Sequence, residues 1–97
     1  MTTTQVTKPK FPLGQVCATP GALEALARSG QEPGFFLDKH LAGDWGDVDQ
    51  EDWQENELSL REGFRILSSY RTLRAEKIWI ITEADRSVTT LLLPEEY

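Results

Sequence analysis

Three β-rich runs close the chain, and the links between them are too short for a crossover. The runs are "RILSSYR" (65–71), "KIWIITE" (77–83) and "SVTTLLL" (87–93), joined by "TLRAE" and "ADR". Each is rich in β-branched and aromatic residues. A parallel pair needs a connection of a dozen or more residues, so links this short make antiparallel neighbours. The pattern predicts a three-stranded antiparallel meander ended by Pro94. Three strands are marginal alone, so elements earlier in the chain must cover one face.

Those elements read as helices. Gln15–Ala18 is either a short strand or an extended segment. Thr19 then offers an N-cap and Pro20 a first helical residue, with Leu23, Leu26 and Ala27 on one face and Gly30 as terminator. Pro33 opens a second helix whose stripe is Phe36, Leu37, His40 and Leu41, closed by Gly43. Residues 44–49 form a loop. Asp49 caps a third helix running to about Glu62, with Gln50, Glu51 and Asp52 in its first turn, Trp53, Asn56 and Leu60 on one face, and Gly63 as stop. The expected fold is α+β: two or three N-terminal helices packed on a three-stranded antiparallel β-meander, as one domain over 11–97. Residues 1–10, "MTTTQVTKPK", are polar and are expected to be a disordered tail.

Charge limits the partners. Ten Lys and Arg against sixteen Asp and Glu give 10 − 16 = −6. Nucleic-acid binders draw most of their affinity from basic contacts to phosphate, so direct nucleic-acid binding is not expected. A basic protein partner suits this balance, although acidity also serves solubility alone. Cys17 is the only cysteine. It reads as a small buried apolar residue, and the lack of any possible internal disulfide suits a reducing compartment. No apolar run approaches a membrane span, so a cytoplasmic protein without membrane association is expected.

The most unusual stretch is "HLAGDWGDVDQEDWQENE" (40–57). It holds the only histidine, two tryptophans, and seven carboxylates with no Lys or Arg. It lacks the calcium-loop pattern D-x-[DN]-x-[DN]-G, and a single histidine with no nearby cysteine is poor transition-metal chemistry, so no metal and no cofactor are expected. The plain interpretation is a solvated, capped helix start. The sharper one is a docking surface in which Trp45 and Trp53 act as anchors inside an acidic rim, although Trp53 is expected to be buried. Residues 61–77 carry 5 − 2 = +3 against −7 for 44–57, so self-association of unlike patches is a further option and a homo-oligomer is compatible.

His40 and Asn56 lie on apolar helical faces. Each is more simply a hydrogen-bonded structural residue, with Asn56 tying its helix to the "GDWGD" backbone. Together with Asp44, Tyr70 and Arg86 they also suggest a polar pocket for a small enzyme or ligand-binding protein. Arg86, in "TEADRS", either pairs with the acidic loop or presents its guanidinium to an anion. The binding candidates are thus His40, Asp44, Trp45, Asp47, Asn56, Tyr70 and Arg86. Phosphate-loop, dinucleotide, C-x-x-C, H-E-x-x-H and G-x-S-x-G motifs are all absent.

At "HLAGDWGD", "NELSLREGFRILSSY" and above all "IWIITEADRSVTTLLLPEEY", the chain resembles a family of small bacterial proteins usually labelled hypothetical or plasmid-related. The likeness spans roughly 11–97. Shared positions matched here include His40, Gly43, Asp44, Trp45, Gly46, Asp47, Asn56, Tyr70, Thr82, Glu83, Asp85 and Arg86. The resemblance implies occurrence beside mobile elements but no nameable activity. Some such chains are labelled as a type I restriction methyltransferase subunit. The prolines here (Pro9, Pro12, Pro20, Pro33 and Pro94) include no [DN]-P-P-[YF] motif, which argues against that chemistry. The expected function is a small acidic, non-catalytic interaction or regulatory protein, one version being a decoy that inhibits a defence protein.

Overall fold

The computed structural model describes residues 8–97, and most of the tail expected at 1–10 lies outside them. Its elements are β1 (Gln15–Ala18), α1 (Pro20–Ser29), α2 (Pro33–Leu41), α3 (Gln50–Glu62), β2 (Ile66–Arg71), β3 (Lys77–Thr82), β4 (Val88–Leu92) and a 3₁₀ turn, Pro94–Glu96. No helix among the described residues is long and apolar enough to cross a membrane.

The helix boundaries follow local chemistry. The Thr19 side chain accepts from the Ala22 N–H at 3.1 Å, and Gly30 closes α1 at φ 69°. Asp49 accepts from the Asp52 N–H at 2.8 Å, and Gly63 closes α3 at φ 79°. The cap of α1 is reinforced from the far end of the chain. One Glu96 carboxylate oxygen accepts from the Thr19 hydroxyl and the Leu93 N–H, and the other from the Gly21 N–H. A carboxylate at this helix N-terminus meets free N–H groups and the positive end of the dipole.

The sheet corrects the expected one. It has four strands in the order β1-β4-β3-β2, and β1 lies parallel to β4 with Gln15 opposite Val88. The meander β2-β3-β4 is antiparallel as read. A four-residue strand half made of Gln15 and Cys17 has too little apolar pattern to announce a partner 73 residues away. Gly14 makes the pairing possible: its φ is 66°, and a Cβ there would collide with the Ser87 carbonyl. Cys17 is exposed, not buried, because β1 is an edge strand.

Strand alternation divides the sheet into two faces. Ile78, Ile80, Tyr70 and Leu91 face α1 and α2 and pack with Ala22, Ala25, Leu26 and Phe36. A second cluster, Phe11, Trp45 and Ile66, is closed by Leu13, Leu41, Val48, Trp53 and Leu60. On the opposite face Tyr97 folds back onto Trp79, with ring centroids 5.8 Å apart.

Edge strand β2 is blocked rather than left open. Asn56 of α3 acts as a surrogate strand: its amide donates to the Leu67 carbonyl at 2.7 Å and its oxygen accepts from the Leu67 N–H at 3.1 Å. Two residues on, the Ser69 N–H donates to Trp45 O and Ser69 O accepts from the Asp47 N–H. A sheet edge capped in this way cannot recruit foreign strands. Replacing Asn56 by Ala leaves both Leu67 groups without partners in a half-buried position. The expected loss is about 2 kcal/mol, read as a lower urea midpoint with an unchanged slope. A midpoint within error of wild type would show that water replaces the amide.

Candidate functional site

His40 lies between the two apolar clusters, fully buried, with Nδ1 2.5 Å from Ser68 Oγ and Nε2 2.9 Å from Thr82 Oγ1. The chain continues from Thr82 to Thr89 Oγ1 at 2.7 Å, and Thr89 donates to the Leu13 carbonyl at 2.7 Å. Every proton can be placed. A carbonyl only accepts, so Thr89 spends its hydrogen on Leu13, and Thr82 must donate to Thr89. Thr82 Oγ1 therefore accepts from Nε2–H, and with burial holding the ring neutral Nδ1 accepts from the Ser68 hydroxyl. The ring is neutral and satisfied on both sides. Burial, with a smaller contribution from the Arg86 charge, lowers its pKa from 6.5 to about 3.

Ser68 beside His40 has the composition of a nucleophile and its base. However, Thr82 stands where an orienting acid would be, and both Ser68 and His40 are fully buried. Neither lines the two grooves described below. Asn56 is occupied at the sheet edge with the Leu67 backbone, not with the loop. The pocket expected around His40 and Asn56 is therefore not formed, because α3 lies along the edge of the sheet while α2 lies over its face. Arg86 is also structural. At φ 61° it donates to the carbonyls of Ser59 and Phe64, capping the end of α3, and to those of Glu83 and Ala84. It pairs with no carboxylate of the acidic loop.

Asp44, Asp47 and Tyr70 do come together. With Phe35, Phe36, Lys39, Gly46 and Arg71 they line an open groove of about 440 Å³. Trp45, between the two aspartates, is the residue that turns inward. It is fully buried, its ring lies 5.8 Å from His40 and 6.2 Å from Phe11, and its Nε1–H donates to Glu57. Trp53, expected to be the buried one, is only half-buried. The Tyr70 hydroxyl donates to the Asp44 carbonyl at 2.6 Å, and burial holds that phenol well above its usual pKa range. The loop backbone is thus held from below while its carboxylates face outward.

Two exposed ion pairs flank the groove, Lys39–Asp44 at 3.7 Å and Arg71–Asp47 at 3.4 Å. Exposed pairs of this kind contribute little and exchange partners readily. Among the described residues, Asp49, Glu51, Asp52 and Glu55 make no ion pair. Phe35, half exposed, lies under the Lys39 ammonium at 5.1 Å. Phe35, Lys39 and Arg71 were not among the sequence candidates. The Phe35–Lys39 spacing of four residues puts them on one helix face and was the available signal. A second groove, about 360 Å³, lies between α3 and the sheet and is lined by Asp52, Glu55, Asn56, Ser59, Arg65, Leu67 and Trp79.

Among the described residues, no three His, Cys, Asp or Glu side chains gather so as to hold a metal ion. No family model, curated protein or solved structure matches this chain.

Proposed function

We propose that this protein is a small non-catalytic interaction module that engages a basic protein partner through the loop Asp44–Asp49 and the first turns of α3. The observation that carries this reading is the outward presentation of the carboxylates of 44–57 above a fully buried Trp45. Among the described residues two of them, Asp44 and Asp47, meet a cation, and both pairs are exposed. A half-exposed Phe35, seated on the buried Phe36 and Tyr70 and set inside a charged rim, follows the general anatomy of a docking site. A rigid acidic surface speeds encounter with a basic partner and gives the association a steep salt dependence. In the setting the family resemblance implies, beside mobile elements, the module acts in the cytoplasm as an acidic decoy occupying the nucleic-acid face of a defence protein.

A variant with Asp44, Asp47 and Asp49 all changed to Asn tests this. Asn accepts the same backbone hydrogen bonds and is itself a good N-cap, so the fold is retained while three charges are lost. In a pull-down from bacterial lysate, the wild type is expected to retain a basic protein that the triple variant loses and that moderate salt elutes. Identical partner lists, or none with either bait, refute the reading.

A further inference from the structure

The two edges of the sheet are treated in opposite ways. Edge β2 is closed by Asn56 and the 45–47 backbone, whereas edge β1 has no partner among the described residues. The Gln15 N–H donates to Ser87 O and the Thr19 N–H to Leu91 O. In a parallel ladder such bonds come from alternate residues, so Gln15, Cys17 and Thr19 face β4, and the N–H and C=O groups of Val16 and Ala18 face away from the sheet. Apart from its shortness, the described residues give this edge none of the usual protection: β1 has no Lys and no Pro, and no element covers it. Val16 is 44% exposed, and Leu23, on the helix that follows, is 50% exposed.

Charge selects the occupant. Residues 11–23 contain no Asp, Glu, Lys, Arg or His, in a chain that is 27% charged. The chain carries −6 overall, so two copies repel unless they meet where charge is lacking. Edge β1 is such a place, and it lies at the opposite end of the sheet from the loop carrying the −7 segment. Pairing β1 with β1 of a second copy gives an eight-stranded sheet with the two acidic loops on its outer strands. Seven strand spacings separate those strands by about 34 Å, several times the ~8–10 Å Debye length.

The geometry points to a two-fold homodimer formed by antiparallel pairing of β1 with its copy, in one register. Only Val16 and Ala18 offer outward backbone groups within the strand. Setting Val16 opposite the partner's Ala18, and Ala18 opposite the partner's Val16, satisfies all four groups on each copy. Centring the pairing on Val16 or on Ala18 uses fewer, because the next outward position is then Gly14 or Pro20, and proline has no N–H. The chosen register sets Cys17 directly opposite its counterpart in a non-hydrogen-bonded pair. The Cα atoms there are about 4.5 Å apart, within disulfide reach. The contact is isologous and closed, so it stops at two copies.

The experiment measures mass by light scattering across concentration and salt, alongside thiol cross-linking. The wild type is expected to shift from 11.0 kDa toward twice that mass with concentration. Added salt strengthens the dimer by screening like net charges, whereas association of unlike patches would weaken. Diamide, the oxidant, takes two electrons and two protons from the facing thiols and yields a covalent dimer. Cys17→Ser keeps the mass shift but does not cross-link. Cys17→Lys places like charges directly opposite, and its exposed side chain leaves the monomer intact. It is expected to weaken dimerisation by about tenfold or more, with unchanged far-UV circular dichroism. A wild type that stays at 11.0 kDa throughout, a dimer that salt disperses, a dimer that diamide does not trap through Cys17, or a Cys17→Lys variant that dimerises like wild type would each overturn the proposal.

Discussion

Lowering the pH from 7 to 5 is expected to remove about 2 kcal/mol of folding stability through His40 alone, and the full descent to pH 3 about 4 kcal/mol. The sign follows from where the proton binds. In the unfolded chain the imidazole takes a proton near pH 6.5, and in the native protein only near 3. Between those values the unfolded state holds more protons, so stability falls as pH falls, and well above 6.5 the residue contributes no pH dependence. A domain of this size has roughly 5–15 kcal/mol in total, so this single side chain brings it close to acid unfolding. Glu76, Asp85 and Glu96, each held below its usual range by hydrogen bonds, act in the same direction. A His40→Gln variant separates the contributions. It keeps a donor for Thr82 but cannot titrate, so it starts less stable at pH 7 and loses less on acidification. Urea midpoints at pH 7, 6 and 5 provide the measurement. A wild-type midpoint that does not move between pH 7 and 5 contradicts the buried neutral ring. The His40 ring resonances should likewise stay fixed over that range, with Nε2 carrying the proton.

The same network shows why the residue suggested a catalytic site. A lone histidine on an apolar helical stripe is more simply a satisfied core residue, yet the pattern leaves a base open, because helical spacing reports the face but not what lies opposite. What lies opposite is Ser68, Thr82 and Thr89, contributed by three strands, and their hydroxyls become a single chain only once the sheet register is set. The caps were legible for the opposite reason. Thr19, Gly30, Asp49 and Gly63 act on groups three or four residues away, and each stands where the local pattern placed it. The meander was legible because its links leave no alternative. Strand β1 was legible only as one of two alternatives for Gln15–Ala18; its place in the sheet was not, since a partner 73 residues distant leaves no mark there, and the one local clue, Gly14, reads equally well as a turn. The candidate surface falls between these cases. The charge run of 44–57 predicted outward carboxylates. Which tryptophan lies beneath them depended on the loop docking on β2, and Trp45 took the place expected of Trp53. That docking rests on Gly46.

Replacing Gly46 by Ala is expected to cost about 3–4 kcal/mol and to dismantle the candidate surface, whereas Gly63→Ala costs about 1 kcal/mol. The pair forms a controlled comparison, because the two glycines have nearly equal φ, 78° and 79°. Both substitutions carry the left-handed penalty for an L-residue. They differ in space: a Cβ at Gly63 meets nothing within 4 Å, whereas one at Gly46 runs into the Ser69 carbonyl and the Tyr70 ring. The Ser69 carbonyl is backbone in a paired strand and cannot move aside. The loop must move instead, losing the bonds from Ser69 N–H to Trp45 O and from Asp47 N–H to Ser69 O. Tyr70 and Asp44 then separate, and the groove between them opens. Urea melts of the two variants measure the difference, and the tryptophan emission of Gly46→Ala should shift to the red as Trp45 meets water. Equal losses for the two variants would mean that the loop does not bear on β2, leaving the outward carboxylates without the frame that presents them.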